Sequence, residues 1–106
     1  MESKDVVPVL GALAQETRLD ALRLLVAAGP EGCAAGEIAR RLDVPAPTLS
    51  FHLRALLHAG LVTSERDGRS LVYAADFDVL GQVVAFLTEN CCAASGRRRP
   101  RARRAG

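Results

Sequence analysis

Two adjacent cysteines, Cys91 and Cys92, are the residues of this sequence best suited to chemistry. Neighbouring thiolates form a chelate for soft, thiophilic ions, and they can also be oxidised reversibly. A third cysteine, Cys33, lies far upstream in the chain. It could supply a further thiolate, or half of a disulfide, or simply pack as a small apolar residue near the start of a helix. These thiols could therefore form either a binding site for a soft ion or a redox-active pair.

The residues before the thiol pair show the periodicity of a mostly helical domain. We expect Pro8 in the opening turn of the first helix, Thr17 as the cap of the second and Asp76 as the cap of the last. Gly29-Pro30 and Gly60 follow helix ends. Apolar residues at helical spacing predict helices over 5–14, 17–28, 35–42, 46–59 and 77–90. The residues expected to face the core are Leu19, Leu22, Leu25 and Val26 in the second helix, Ile38, Ala39 and Leu42 in the third, and Leu49, Leu53 and Leu56 in the fourth.

A hairpin is predicted between the fourth and last helices. Asp67-Gly68 separates two alternating segments, 61–66 and 69–74, and Asp-Gly at the centre of a type I′ turn is a strong hairpin signal. The order ααααββα is mainly α with a small β-hairpin, which indicates a winged helix-turn-helix. The first and last helices look too apolar for this core to cover, so we expect dimerisation through them. The alternative is that they pack on the core of a monomer.

Charge divides the chain into two parts. Residues 97–104 read RRRPRARR, with six arginines and no acid, whereas the rest of the chain has more acidic than basic residues. We therefore predict a DNA-binding and dimerisation domain over 1–92 and a disordered, Arg-rich tail over 93–106. The tail could attract phosphates or serve only solubility. No secretory signal or membrane span is evident, and an odd number of cysteines fits a reducing cytoplasm.

The helix predicted over 46–59 is the expected recognition helix in a DNA major groove. Ser50 and Arg54 suit base edges, and Phe51 suits a thymine methyl group. Thr48, near the helix start, suits a backbone phosphate. Two arginines that flank the wing turn suit phosphates or a minor groove. The predicted DNA-contacting residues are Arg40, Pro47, Thr48, Ser50, Phe51, Arg54, Arg66 and Arg69.

Each of these residues also has an ordinary structural interpretation. Exposed arginines such as Arg40 and Arg54 are often only solvated. His52 is expected to be a structural histidine bonded to backbone rather than a base contact, and His58 is expected at the surface. No nucleophile–base pair, glycine-rich phosphate loop or metal-hydrolase spacing is present in the sequence, so we do not expect an enzyme.

A long segment of the sequence resembles the winged helix of the ArsR/SmtB family of metalloregulatory repressors. It is GEIARRLDVPAPTLSFHLRALLHAGLVTSERDGRSLVYAAD, over residues 36–76. The resemblance implies a homodimer that binds an inverted-repeat operator in double-stranded DNA, represses transcription and dissociates when an inducer binds. The elements most similar to the family are ETRL at 16–19, TLSFHL at 48–53, AGLV at 59–62 and DGRSLVY at 67–73.

The resemblance also bears on the inducer. Many arsenic-responsive relatives carry a Cys-x-Cys site at the start of the third helix, where this sequence has Ala34 and Gly36, and the last helix lacks the histidines of zinc-responsive relatives. LTENCC resembles the arsenic-responsive subgroup with vicinal cysteines at the C-terminal end. It implies trivalent arsenic or antimony as inducer, with no cofactor required, Cys91 and Cys92 as ligands, and Cys33 as the candidate third ligand.

The expected pattern is incomplete because no cysteine follows Cys92. If Cys33 cannot reach the pair, a solvent oxygen could complete an arsenite site, or the site could prefer a methylated or aryl arsenical that needs two thiols. A thiol redox or persulfide-responsive repressor of the same fold is the main alternative, with a disulfide from Cys33 to Cys91 or Cys92 as its switch. A metal-buffering or protein-interaction module without operator binding is a further one.

Overall fold

The computed structural model describes residues 1–94, which form five α-helices and a three-stranded antiparallel sheet. The predicted winged helix-turn-helix architecture is confirmed. From residue 95 onward the predicted Arg-rich tail lies outside the described residues. The elements are α1 (Ser3–Leu13), α2 (Glu16–Ala28), β1 (Cys33–Ala34), α3 (Ala35–Leu42), α4 (Ala46–His58), β2 (Val62–Asp67), β3 (Ser70–Ala75) and α5 (Phe77–Thr88), with a 3₁₀ turn at Gly29–Glu31.

Side-chain caps set several helix starts, and the predicted starts of α1 and α2 were wrong. The backbone N–H of Glu2 donates to Asp5 Oδ2 at 2.8 Å, so α1 begins early and Pro8 lies in its second turn rather than its first. Gln15, not Thr17, caps α2, because Gln15 Oε1 accepts the backbone N–H of Arg18 at 2.9 Å. The predicted cap of α5 is confirmed, since Asp76 Oδ1 accepts the N–H of Val79 at 3.1 Å.

Helix α5 ends two residues before the predicted Asn90. Its last residue is Thr88, and Glu89 takes an extended conformation. Asn90 and Cys92 then adopt left-handed backbone conformations, with φ of 61° and 63°. The thiol pair therefore lies beyond the helix, as predicted, but Glu89 and Asn90 separate it from the helix end, and it lies in a run of turns.

The core lies between α2, the helix-turn-helix and the sheet. In α2 the buried residues are Ala21, Leu22 and Leu25, whereas Leu19 and Val26, which we expected inside, are exposed at one edge of that stripe. Of the predicted inward residues of α3 and α4, Ile38, Ala39, Leu49, Leu53 and Leu56 are buried, and Leu42 is half-buried. Leu61, between α4 and β2, is also fully buried.

Helices α1 and α5 each bury little in their own chain. Val6 and Val9 are the buried residues of α1, and Val83 is the buried residue of α5. Val7 of α1 and Val84 of α5 keep 64% and 60% of their surface exposed. Both helices therefore present apolar side chains that the rest of the described chain does not cover. No helix in residues 1–94 has the length and hydropathy needed to cross a membrane.

The hairpin differs from the prediction at its turn. Asp67 pairs with Ser70, so the two central residues are Gly68 and Arg69 rather than Asp67 and Gly68. Only the first of them has positive φ, at 65°, which is the pattern of a type II′ turn rather than type I′. The wing is thus confirmed as an element, with its turn shifted by one residue.

A short strand that the sequence did not predict joins the wing to α3. In β1, Cys33 pairs with Tyr73 and Ala34 pairs with Val72, which places β3 at the centre of the sheet. Gly32, just before β1, has φ of 74°, and a Cβ there would overlap the carbonyl group of Tyr73. The absence of a side chain at Gly32 is what allows β1 to approach β3.

Candidate DNA interface and thiol pair

The two faces of α4 are clearly separated. Leu49, Leu53 and Leu56 are fully buried and fix the helix to the core. Thr48 and Arg54 lie on the other face, together with Pro47, and all three are exposed. This is the arrangement that a recognition helix needs, because one face must hold its position while the other contacts the groove.

Two of the predicted base-contacting residues are joined to each other. Arg54 Nη1 donates to Ser50 Oγ at 2.9 Å across one helical turn. The bond holds the guanidinium group along the exposed face of α4 and leaves its other N–H donors available. A guanidinium group presented in this way can donate two parallel hydrogen bonds to a guanine edge.

Beside this pair, Phe51 keeps 57% of its surface exposed. Its ring meets the ring of His52 edge-on, with centroids 5.5 Å apart and an interplanar angle of 69°. The guanidinium carbon of Arg18, from α2, lies 5.7 Å from the Phe51 centroid. An exposed apolar ring held from the side in this way is suited to contact with a thymine methyl group.

His52 is a structural histidine, but its partner is not the backbone. Arg18 Nε donates to His52 Nδ1 at 3.1 Å, and the pair is partly buried. Arg18 was not among the predicted site residues, although it belongs to the ETRL segment. Its position in the helix before the helix-turn-helix gave no sign that it would reach α4. His58 is exposed, as expected.

Arg40, a predicted DNA contact, is already paired within α3. Arg40 Nε donates to Glu37 Oε1 at 3.1 Å, and Arg41 Nε lies 4.0 Å from Glu37 Oε2. The hydrogen bond from Arg40 lowers the pKa of Glu37, and the same bond raises the pKa of Arg40. Cys33 adds a smaller electrostatic contribution to the raised pKa of Arg40. The Arg40 side chain remains largely exposed, so a phosphate would compete with Glu37 for it.

The two wing arginines lie on the hairpin at positions open to a ligand. Arg66, on β2, is exposed and pairs across the hairpin with Leu71. Arg69 is exposed within the turn itself. Glu65 and Asp67 lie on the same strand as Arg66, so the wing carries both signs of charge. The predicted contacts of Arg66 and Arg69 with phosphate or a minor groove stay predictions.

The vicinal thiols are close together and accessible. Cys91 and Cys92 are exposed, and their Sγ atoms lie 3.6 Å apart. Backbone bonds hold the segment in turns, because the N–H of Cys91 donates to the carbonyl oxygen of Thr88 at 3.0 Å and the N–H of Ala93 donates to that of Asn90 at 2.9 Å. Both sulfur atoms can therefore be reached from solvent by one ion.

Cys33 does not join this pair within one chain. It is half-buried in β1, opposite Tyr73 and directly before α3. The described residues contain no group of three or more His, Cys, Asp or Glu side chains that could hold a metal ion. A third ligand from Cys33 would have to come from a second subunit, and this stays a prediction.

Comparison with known proteins identifies a matching family model and several relatives of this chain. The family model described as a helix-turn-helix domain matches residues 13–65, half of the chain. Over 63 residues the chain is 46% identical to a putative arsenical resistance operon repressor ArsR from Halobacterium salinarum. That alignment covers 59% of this chain and 48% of the relative, so the chain spans about half the length of that protein.

Solved structures agree with the architecture over most of the chain. An ArsR-like transcriptional regulator from Rhodococcus sp. RHA1 superposes with a TM-score of 0.71 at 33% identity, covering 86% of this chain and 82% of that one. A homodimeric winged helix-turn-helix DNA-binding domain from Mycobacterium bovis, a possible ArsR-family regulator, superposes with a TM-score of 0.65 at 29% identity. Coverage there is 91% of this chain and 89% of that domain. These relatives are transcriptional regulators rather than enzymes.

Proposed function

The chain belongs to the ArsR family of winged-helix transcription regulators, and from this premise we propose that it is a homodimeric repressor released from its operator by trivalent arsenicals or antimonials. The arsenic or antimony compound binds as the inducer at Cys91 and Cys92. The observation that carries the proposal is the pair of exposed thiols, 3.6 Å apart, directly after α5. Because the thiols must be reduced to bind, the proposal fits a protein that acts in the cytoplasm.

Operator binding is supported by the exposed face of α4. Ser50, Phe51 and Arg54 lie within one helical turn, and they combine a hydroxyl, an apolar ring and a guanidinium group. Together these can distinguish bases by hydrogen bonding and by contact with a thymine methyl group. Arg66 and Arg69 on the wing supply cations for phosphates beside the groove.

Dimerisation is supported by the apolar surfaces of α1 and α5. Val7, Leu10, Val84 and Leu87 are large apolar residues exposed on these two helices. On each helix the two residues lie three positions apart and so share one face. Exposed apolar faces of this kind mark an interaction site, and the Mycobacterium bovis relative is homodimeric. A two-fold dimer would present two α4 helices to successive major grooves, about 34 Å apart, which is the spacing of an inverted repeat.

Two thiols are enough to bind an organic arsenical. When methylarsonous acid, CH₃As(OH)₂, reacts with Cys91 and Cys92, two As–S bonds form, two As–O bonds break, and the thiol protons leave with the hydroxyls as two water molecules. The product is a three-coordinate arsenic with its methyl group as the third substituent. Arsenous acid would react in the same way and keep one hydroxyl, unless Cys33 of a second subunit displaced it.

Coupling to DNA follows from the place of the thiols in the chain. Cys91 and Cys92 follow the helix whose apolar face we assign to the dimer interface. Closing a chelate there favours one arrangement of α5. If that arrangement sets the two α4 helices at a spacing unsuited to the operator, the inducer shifts the population away from the DNA-bound state. DNA then weakens inducer binding by the same factor.

The test is a fluorescence-anisotropy titration under reducing conditions, with labelled DNA from the region preceding the gene of this chain. Arsenite, antimonite and methylarsonous acid are added to the wild type, to the C91S/C92S variant and to C33S as the matched single-thiol control. Release from the wild type and from C33S, but not from C91S/C92S, supports the proposal. The ranking of the three ligands shows whether a third thiol participates.

Two other results would redirect the assignment. Release by an oxidant or a persulfide, with no release by any of the three ligands, would favour the thiol redox or persulfide-responsive repressor. Absence of binding to any promoter fragment would contradict operator binding and favour a metal-buffering or protein-interaction module.

A further inference from the structure

Arg18 connects α2 to the recognition helix through two different contacts. Its Nε donates to His52 Nδ1 at 3.1 Å, and its guanidinium carbon lies 5.7 Å from the centroid of the Phe51 ring. Its own backbone N–H is held by Gln15 Oε1 at 2.9 Å, in the capped first turn of α2. The side chain therefore extends from a fixed point outside the helix-turn-helix to the two aromatic residues of α4.

The hydrogen bond determines which nitrogen of His52 carries the proton. A guanidinium N–H can only donate, so Nδ1 of His52 must accept with its lone pair. A neutral imidazole that accepts at Nδ1 carries its proton on Nε2. Arg18 thus selects one tautomer of His52 and fixes the plane of the ring, and the edge-on contact transmits that orientation to Phe51.

No carboxylate competes for the Arg18 side chain in the part of the chain that the structure describes. The ion pairs there join Lys4 to Glu2, and Arg40 and Arg41 to Glu37. The two rings of α4 are therefore the partners of the Arg18 guanidinium. A planar guanidinium group suits this double role, because one edge donates a hydrogen bond while the face lies over an aromatic ring.

We propose that Arg18 is a positioning residue for DNA recognition, which holds Phe51 in the orientation that contacts bases and His52 in the tautomer with Nε2–H. It acts through these two residues and not by contact with phosphate. The inference rests on the operator binding of the proposed function and is independent of which inducer acts. It assigns part of the DNA specificity to α2, outside the helix-turn-helix.

The test compares R18A, R18K and R23A for affinity to promoter DNA across a range of salt concentrations. Arg23 is the matched control, because it is an exposed arginine on the same helix. We expect R18A to lose affinity about tenfold, equivalent to about 1.4 kcal/mol, and R23A to bind like the wild type. R18K should remain impaired, since an ammonium group cannot donate to His52 and also lie flat over Phe51.

Two further measurements separate positioning from other roles. The slope of log affinity against log salt should be the same in R18A as in the wild type, because a lost phosphate contact would reduce it by about 0.9. Adding F51A to R18A should cost less than the sum of the single changes, since both act through one contact. Long-range proton–nitrogen NMR of the wild type should show His52 protonated at Nε2, and R18A should show a mixture of tautomers.

Each result has a defined meaning. Wild-type affinity in R18A would show that Arg18 has no role in DNA binding, and full recovery in R18K would show that its charge alone matters. A salt slope reduced by about one unit would show that Arg18 contacts a phosphate directly. Each of these results would overturn the positioning role. Additivity of R18A and F51A would also overturn it. If the wild type binds no promoter DNA, the operator proposal fails, while the tautomer of His52 still tests the Arg18–His52 bond by itself.

Discussion

Replacing Gly32 by alanine should destabilise the domain far more than the same change at Gly29. The two glycines have nearly the same backbone conformation, with φ of 74° and ψ of −160° at Gly32 and φ of 79° and ψ of −168° at Gly29. This region is almost exclusive to glycine, so each alanine should cost about 1–3 kcal/mol of strain. The strain term is common to both variants and cancels in their comparison.

The surroundings of the two glycines differ. A Cβ at Gly29 would meet nothing within 4 Å, whereas a Cβ at Gly32 would lie 2.9 Å from the carbonyl carbon of Tyr73 and 3.1 Å from Ala74 Cβ. Both distances are below the ordinary range of 3.4–4 Å. The new methyl group must push β1 away from β3, and overpacking of this kind costs about 1–3 kcal/mol. We expect the free energy of unfolding of G32A to fall below that of G29A by this amount.

Urea unfolding followed by tyrosine fluorescence measures the difference directly. Tyr73 is the single tyrosine of a chain without tryptophan, and it is 3% exposed, opposite β1 in the sheet. The signal therefore comes from the site of the predicted clash. Equal free energies of unfolding for G32A and G29A would refute the reasoning, because they would show that the contact with Tyr73 costs nothing beyond backbone strain.

Four further outcomes follow from the described contacts and from the charge of the sequence. Arg54→Ala should weaken promoter binding by about 1–3 kcal/mol in an anisotropy titration, and unchanged affinity would remove Arg54 from the interface. Deleting residues 97–106 should lower the slope of log affinity against log salt by about 0.9 for each phosphate that the tail neutralises, and an identical slope would show that the tail contacts no phosphate. Asp76→Ala should reduce the free energy of unfolding in urea by about 1 kcal/mol, since it removes the cap of α5. Arg40→Ala should raise the pKa of Glu37 toward 4.5 in a carboxyl NMR titration, because the bond from Arg40 lowers it.

The direction of the last effect sets its pH window. A lowered pKa in the folded chain means that the pair between Arg40 and Glu37 favours the ionised carboxylate. Its contribution to folding is thus present above the pKa of Glu37 in the unfolded chain and is lost as pH falls through the lowered value. Arg40→Ala should reduce this acid dependence at Glu37, since only the weaker interaction with Arg41 then opposes protonation.

Local signals in the sequence were sufficient to predict the elements whose conformation depends on residues close together in the chain. The bounds of α3 were predicted to the residue, and those of α4 to within one. Leu49, Leu53 and Leu56 recur at helical spacing, so the buried face of α4 followed from periodicity alone. The outward positions of Phe51 and Arg54 followed from the same pattern.

Features that depend on distant partners were not predictable in this way. β1 has two residues, too few for an alternating pattern, and it exists because Gly32 admits the backbone of Tyr73. The bond from Arg18 to His52 joins residues in different helices, and neither residue type indicates the other. Thr17 is a residue type that often caps helices, but α2 begins before it, at Glu16, and the amide oxygen of Gln15 accepts the free backbone N–H of Arg18.

Because α5 buries only one side chain in the described part of its own chain, the proposed ligand after it could control DNA binding through the dimer interface. Val83 is its one buried residue, while Val84 and Leu87 keep about 60% of their surface exposed. If a partner subunit covers those side chains, the position of α5 is set by the dimer interface more than by the core. A chelate at Cys91 and Cys92 then acts on the contact between subunits, whose rearrangement leaves Leu49, Leu53 and Leu56 in place. The recognition helices can thus change their spacing while each winged helix keeps its fold.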